Sequence, residues 1–469
     1  MSSTVSSASA TTAPLPDDVA GLRTRVTGTV LARGAGPDGG GRTPGEAVPA
    51  HSTLVLNDPQ IAVLAASERD VVESVRFAAE HGLAVRPYAT GHGGATPILD
   101  GVVVDTASLA GVEIDPGTRV ARIGAGTRWQ AVIEAAAPHG LAPITGSSTH
   151  VGVVGYTLGG GLGPLARSHG ATSDRVRAYR VVLADGSVVE ATADTDPDLF
   201  WALRGGKGGL GVVTRVDLEL VPLATLYGGS LTVDTPHVAD VLRGWARWTA
   251  TAPDDLTTSV VVLTLPDLPF VPEPMRGRTV LTLRFAYPGD AAEGERLAAP
   301  LRALAPALVD TIGEMPASEV GAIHADPEDP GPSWVAGAGL RTLDDAFVDH
   351  YLGEFGPGGD SPFLGAEIRH LGAAVARDVP GGSAVGGRTA GYLLTFVGMN
   401  PPLVPAMVAS FTDFVDWSAP WAASETNVNF LPAPWTPERL ARAWSPDTLA
   451  RLAAVRDRYD PAGRFPFGA

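Results

Sequence analysis

The side chains best placed to do chemistry in this sequence lie among glycines. Residues 88–97, YATGHGGATP, set His92 between Gly91 and the pair Gly93–Gly94, so that little obstructs approach to its ring. A neutral imidazole nitrogen held in such a turn is a nucleophile. Two further runs, GGGLG (Gly159 to Gly163) and GGKGGLG (Gly205 to Gly211), place successive backbone N–H groups without side-chain cover, which suits a pyrophosphate. Neither is a standard phosphate loop. Lys207 is followed by Gly208 rather than Ser or Thr, and GLGPLA lacks the strand before and helix after that a dinucleotide fingerprint requires. A single run is as well explained by a tight turn, but two within one region point to a nucleotide-containing ligand. His139, His150 and His169 have no metal-ligand spacing with acidic partners and read as structural, so no metal site is expected.

The elements around these glycines are short. Ser67 and Asp70 form a capping box ahead of a helix whose Val71, Val72, Val75, Ala78 and Ala79 recur at helical spacing, with Gly82 as the stop. LAVRPY reads as a strand leading into the His92 turn. Asp115-Pro116-Gly117 marks a turn between β runs, Trp129 to Ala137 a helix, and VRAYRVVLADGSVVEAT a hairpin turning at Asp185-Gly186. DPDLFWALRGG gives a short aromatic helix, and GVVTRVDLELVPL an alternating strand. TVLTLRFAYP, AEIRHLGAAVA and GYLLTFVGM then read as longer strands of an antiparallel sheet, with helices such as HVADVLRGWARWTA between them. The expected divisions are residues 1–50 as a flexible leader and Gly/Pro-rich segment, 51–223 and 224–420 as two folded domains, and 421–469 as a C-terminal segment returning to the first.

At 469 residues the chain exceeds what one core usually serves, and 45% hydrophobic residues leave ample material for burial. The 51 acidic and 34 basic residues give a formal charge of -17, which repels nucleic acid and anionic membrane alike. The absence of cysteine excludes disulfides, thiolate catalysis and cysteine-ligated metals. The Ser/Thr/Ala-rich start lacks a secretory pattern and no run of about 18 apolar residues exists, so a cytoplasmic protein is expected, with no nucleic acid or membrane as partner.

TGHGG, TRVARIGAGTRW, VGVVGYTLGGGLG, VVLADG, DPDLFWALRGG, GVVTRVDLELVP, NVNF and RYDPAGRF occur in an order that resembles the berberine-bridge-enzyme-like FAD-linked oxidoreductases, of the vanillyl-alcohol oxidase/p-cresol methylhydroxylase class. The resemblance runs from about Val55 to Phe465. It implies an α+β fold: a two-subdomain FAD-binding domain of the PCMH type, plus a substrate domain with an antiparallel sheet and flanking helices. It also implies FAD attached covalently through His92 to the flavin 8α carbon. Ser148 occupies the place of a second, cysteine attachment found in some members, so one tether is expected. The cofactor contacts carried over are Thr90, Gly91, Gly93 and Gly94; Ser147, Ser148, Val151, Gly152, Gly155, Tyr156, Gly159, Gly160 and Gly161; Gly211, Val212 and Val213; and Asn427 and Asn429. The small Val151 falls where oxygen access is tuned and resembles an oxidase, while Tyr156 replaces a histidine found near flavin N1.

The family's reaction is hydride transfer from a small-molecule alcohol, hemiacetal or amine-type carbon to flavin N5, with O2 as reoxidant giving H2O2, and the resemblance implies a role in secondary metabolism. The alternatives are a dehydrogenase with another acceptor, or a flavin-holding protein that catalyses a non-redox cyclisation or only binds. Candidate bases lie on AEIRHLG, where Glu367, Arg369 and Leu371 share one face of a strand and Ile368 and His370 the other. The first set is preferred, because apolar neighbours would raise the Glu367 pKa into a useful range; an ordinary surface Glu–Arg pair is the alternative. Tyr392, following Arg388, is a further choice. In NVNF, Asn427 and Phe430 flank the place of a phenol that acts as base in many relatives, leaving Asn429 to hydrogen-bond flavin or substrate.

Overall fold

The structure is a computed structural model that describes residues 15–16, 18–34, 41–94, 96–269, 271–432 and 434–467. Its first ordered element falls inside the expected flexible leader. Helix Val19–Arg25 (α1) is capped by Asp18 and buries Leu22. Strand Thr29–Ala32 (β1) follows, with Val30 and Leu31 buried. Even the Gly/Pro-rich stretch forms a turn of helix, Pro44–Ala47 (α2), closed by a full capping box between Thr43 and Glu46. The connection between α1 and β1 is held by Asp70. Its carboxylate, read from sequence as half of a capping box, instead accepts from the backbone N–H groups of Thr27, Gly28 and Ala66 at 2.8–2.9 Å. Residues 1–14, 17 and 35–40 lie outside the described residues.

Strands Ile61–Leu64 (β2), Val85–Tyr88 (β3) and Val102–Asp105 (β4) join β1 in the order β1-β2-β4-β3. β4 runs parallel to both neighbours, which requires crossovers, and Glu68–Glu80 (α3) supplies the one between β2 and β3. The second sheet is antiparallel and built from Val112–Asp115 (β5), Val120–Gly124 (β6), Val176–Val182 (β8), Val188–Ala191 (β9) and Val212–Glu219 (β10), ordered β5-β6-β10-β8-β9. A separate short ladder pairs Leu141–Ala142 (β7) with Val221–Pro222 (β11). Trp129–Ala136 (α4), Val153–Leu158 (α5), Ala166–His169 (α6) and Pro197–Leu203 (α7) accompany this sheet. Gly186 turns the β8–β9 hairpin at φ 76°, as its Asp-Gly sequence demands.

The third sheet has eight strands: Thr225–Val233 (β12), Thr257–Thr264 (β13), Thr279–Tyr287 (β14), Ala307–Asp310 (β15), Gly313–Pro316 (β16), Trp334–Leu340 (β17), Gly365–His370 (β18) and Tyr392–Gly398 (β19). The order is β15-β12-β14-β13-β18-β19-β17, with β16 also paired to β12, and every pairing is antiparallel. Its two faces differ. Leu283, Val260, Ile368, Leu394 and Phe396 pack under Val238–Thr249 (α8), Ala291–Arg302 (α9), Asp345–Phe355 (α10) and Val404–Trp417 (α11). The other face carries Arg284, Ser259, Glu367, Arg369 and Thr395 in adjacent register positions. That polar face turns toward the glycine segment, where Arg369 reaches Leu162 O. Finally, Pro437–Leu440 (α12) and Pro446–Tyr459 (α13) return the chain to the first two sheets: α13 packs on α7, Val85 N–H donates to Arg464 O at 2.8 Å, and Phe465 joins the core of the first sheet.

Candidate functional site

The His92 turn is shaped by backbone geometry. Gly91 and Gly93 adopt φ of 73° and 71°, a region costly for other residues. His51, the first residue of the expected first folded domain, donates its N–H to Gly91 O at 3.0 Å and stacks its ring on His92 at 3.7 Å. Thr90 Oγ1 lies 3.1 Å from His92 Nδ1. Burial, reinforced by His51, Arg128 and His150, lowers the His92 pKa to about 4, so the imidazole is neutral at ordinary pH.

The second glycine segment meets this turn. Residues 149–153 are strapped to the start of α4 by Trp129 N–H to Val151 O, Gln130 N–H to Thr149 O and Val153 N–H to Thr127 O, at 2.9–3.1 Å. This brings Gly152 against Thr90, where a Cβ would approach Thr90 Cγ2 to 3.2 Å. Ser147, Ser148 and Val151 are half-buried along the same segment, and Gly93 and Gly155 border open space. Tyr156 lies edge-on to Trp129, its phenol buried and kept neutral by that burial.

At the other glycines expected to cradle a pyrophosphate, the place of a Cβ is taken up by protein. A Cβ on Gly159 would overlap Asn429 Oδ1, one on Gly160 would meet Asn427 Nδ2 and Val385, and one on Gly161 would strike the Tyr156 ring. The GGKGGLG loop is covered too: Arg456 donates to Gly206 O and Gly208 O at 2.9 and 3.1 Å, and Gly211 packs on β8. Val212 and Val213 bury their side chains in separate cores. These glycines are small because side chains and neighbouring strands pack where a Cβ would stand. Sequence alone does not show which side of a glycine is occupied.

Asn427 and Asn429 do the packing. Asn427 Nδ2 donates to Gly159 O at 3.0 Å; Asn429 Nδ2 donates to Tyr156 O at 2.9 Å, and its Oδ1 accepts from Lys207 Nζ at 2.6 Å. Asn429 was expected to serve flavin or substrate, yet both ends of its amide are engaged with protein. Lys207, absent from the sequence candidates, also donates to Gly155 O at 3.0 Å, and burial pulls its pKa down to about 8. Asn429→Ala is expected to cost about 1–3 kcal/mol by leaving Lys207 and Tyr156 O underbonded. Denaturant unfolding measures this, and an unchanged midpoint would show the clamp to be dispensable.

On the polar face of the third sheet, Glu367 and Arg369 do share one side as expected, but the carboxyl does not behave as expected. Glu367 Oε1 accepts from Arg284 Nη1 at 2.9 Å and Oε2 from Arg369 Nη2 at 3.1 Å, with His324 Nε2 3.6 Å from Oε1. Burial pushes this carboxyl up, but Arg369, Arg284 and His324 outweigh it and hold it well below the usual range. Glu367 is an ionised, buried counter-ion, neither a base of raised pKa nor a surface pair. Arg369 further donates to Leu162 O at 2.8 Å, tying the sheet to the glycine segment. Tyr392 is on the opposite face: its hydroxyl pairs with Thr249 Oγ1 at 2.8 Å, and its ring stacks on His370 at 5.2 Å. The structure thus separates Tyr392 from Glu367 and Arg369, while adding Arg284 and His324 from distant strands and turns.

Residues 59–192 match the family described as FAD binding domain. Along 440 residues the chain is 27% identical to (R)-6-hydroxynicotine oxidase of Paenarthrobacter nicotinovorans, covering 87% of this chain and 90% of that protein. It is 40% identical over 177 residues to FAD-dependent monooxygenase FUP4 of Fusarium proliferatum, a match spanning 36% of this chain and only 34% of that relative. The crystal structure of 6-hydroxy-D-nicotine oxidase from Arthrobacter nicotinovorans superposes with a TM-score of 0.80 at 26% identity, covering 94% and 96% of the two chains. Fold and sequence together define an FAD-linked oxidoreductase of the vanillyl-alcohol oxidase/p-cresol methylhydroxylase class. Its fold is also similar to that of Physcomitrella patens BBE-like 1, with a TM-score of 0.79 at 20% identity. Among the described residues no helix is long and apolar enough to cross a membrane.

Proposed function

We propose that this chain is a cytoplasmic FAD-dependent oxidase that oxidises an alcohol, hemiacetal or amine-type carbon of a small molecule, using dioxygen and releasing hydrogen peroxide. The observation that carries this reading is the neutral His92, set in a left-handed glycine turn whose Thr90 meets the Gly152 segment. The residues fit an FAD: open space borders Gly93 and Gly155, and a nucleophilic ring nitrogen stands beside them. His92 is proposed as the single covalent anchor, with Thr90, Gly91, Gly93, Gly94, Ser147, Ser148, Val151, Gly152, Gly155 and Tyr156 around the cofactor. The proposed division of the chain is 51–223, 224–420 and 421–469, with β1 and α1 added to the first unit.

When bound, the flavin accepts a hydride from the substrate carbon and passes two electrons to dioxygen. The protein's own part is proton handling and placement. Glu367 cannot take a proton at neutral pH while two guanidiniums hold it ionised. His324 is neutral, because burial and Arg284 disfavour its cation, and Nδ1 has no partner among the described residues. With Nε2 turned to Glu367, His324 Nδ1 can accept a hydrogen bond from a substrate O–H or N–H and orient it as the C–H bond breaks. The full-length relative is named as an oxidase of (R)-6-hydroxynicotine, which agrees with an oxidase reading.

Anaerobic reduction of the purified protein followed by air tests this. Rapid return of the flavin colour with one peroxide per flavin is expected. Slow return, with turnover only on an artificial acceptor, would instead make it a dehydrogenase.

A further inference from the structure

Lys207 is the single lysine among the 34 basic residues of the chain. It stands where a side chain is costly. Its backbone adopts φ of 70° inside a run of glycines, held by its own N–H donating to Leu158 O at 2.8 Å. Glycine would adopt the same turn freely, so the turn does not account for a lysine.

The side chain is engaged without being neutralised. An ammonium carries three N–H donors. Two of them go to uncharged acceptors, Gly155 O at 3.0 Å and Asn429 Oδ1 at 2.6 Å. The third has no protein partner among the described residues. Burial alone pulls the Lys207 pKa down, with no carboxylate among the described residues opposing it. A buried cation ordinarily finds a counter-charge, because desolvation is costly when it does not.

The open side of this corner lies toward the cofactor site proposed above. Val153, Val154 and Thr157 of α5 are buried, but Gly155 between them is exposed, and a Cβ on it would meet nothing within 4 Å. Gly152, at the start of the same helix, packs against Thr90 of the His92 turn. Three residues of helix, about 4.5 Å of rise, separate Gly152 from the glycine that Lys207 grips. FAD carries negative charge in two places: permanently on its diphosphate and, once it has taken up a hydride, on its ring.

We propose that Lys207 is a cofactor-binding residue whose ammonium is the counter-charge to an anionic group of bound FAD. The inference rests on the FAD reading of the site, and it assigns to Lys207 a charge beyond its two hydrogen bonds to the protein. Lys207→Gln separates the two roles, because a glutamine amide can still donate to Gly155 O and Asn429 Oδ1 but carries no charge. Lys207→Arg keeps a charge.

The test uses the full chain carrying His92→Ala, so that FAD exchanges freely, alone and combined with either change at position 207. Each protein is titrated with FAD at pH 7, where a group with a pKa of about 8 is protonated, and is then reduced beside a reference dye. Lys207→Gln is expected to lose at least about tenfold in one of two quantities, the size implied by one charge-assisted hydrogen bond. A tenfold weaker hold on oxidised FAD assigns the diphosphate as partner. Unchanged affinity for oxidised FAD, with a tenfold lower ratio of reduced to oxidised flavin at the same dye setting, assigns the ring. Lys207→Arg should retain part of whichever quantity falls. A Lys207→Gln protein that matches its parent in both, or a Lys207→Arg protein that loses as much as Lys207→Gln, would overturn the proposal alone. A parent that binds no FAD would overturn the FAD reading and this inference with it.

Discussion

Glu367→Gln is expected to destabilise the protein by about 3–5 kcal/mol, the usual cost of removing one member of a buried ion pair. The glutamine keeps the shape and can still accept one hydrogen bond, but it no longer offsets the charge of Arg284 and Arg369, which lie 2.9 and 3.1 Å from the carboxylate oxygens. The pH dependence follows from the direction of the shift. The folded carboxyl titrates well below its ordinary value of 4.5, so its contribution is complete above about pH 4.5 and is lost as pH falls toward the folded value. The gap between parent and variant should therefore be constant near neutrality and close in acid. Denaturant unfolding at several pH values measures it. A gap under about 1 kcal/mol at neutral pH would mean that water, not Glu367, neutralises the arginines.

His92→Ala is expected to abolish covalent flavin completely while leaving the fold intact. The half-buried ring contributes a stacking contact to His51 and one contact to Thr90, so its removal leaves no buried charge behind. What it removes is the tether. A covalently held cofactor stays bound at any dilution, whereas the variant must hold FAD by contacts alone and should release it on dilution or denaturation. Since His92 remains neutral down to about pH 4, attachment to apoprotein should persist through the mildly acidic range where an ordinary histidine protonates. Acid precipitation of parent and variant after incubation with FAD compares the two, and equal retention would place the bond elsewhere.

Local patterns were readable in the sequence, and long-range ones were not. The hairpin at Asp185-Gly186, the α3 cap at Ser67 and the common face of Glu367 and Arg369 all depend on neighbours within a few positions, and each appears in the structure. The charge state of Glu367 depends on Arg284, 83 residues away, and on His324, so its strand alone suggested a raised pKa where the assembled site gives a lowered one. The leader was misread for a related reason. A seven-residue helix with one fully buried leucine is too short to stand out by periodicity, and its anchor is Asp70 on a later helix. The glycine runs were read as a pyrophosphate cradle, and what sequence could not show is that Asn429, Asn427 and Tyr156 stand where a Cβ on Gly159, Gly160 and Gly161 would lie.

His51 shows how much the site owes to packing. Nothing near it in sequence marks it as special, yet backbone pairing between His51 and Gly91 lays its ring flat on His92. The stack shields the imidazole and helps keep it neutral, which is the property a nucleophile needs. The turn, the stacked partner and the Gly152 segment against Thr90 together support one arrangement: a flavin anchored at a single histidine.

The most direct test of that arrangement is the mass of the denatured intact protein. The expected mass is that of the polypeptide plus one FAD, with the added mass mapping to the peptide that contains His92. A denatured protein at the bare polypeptide mass, with all flavin free in solution, would contradict it.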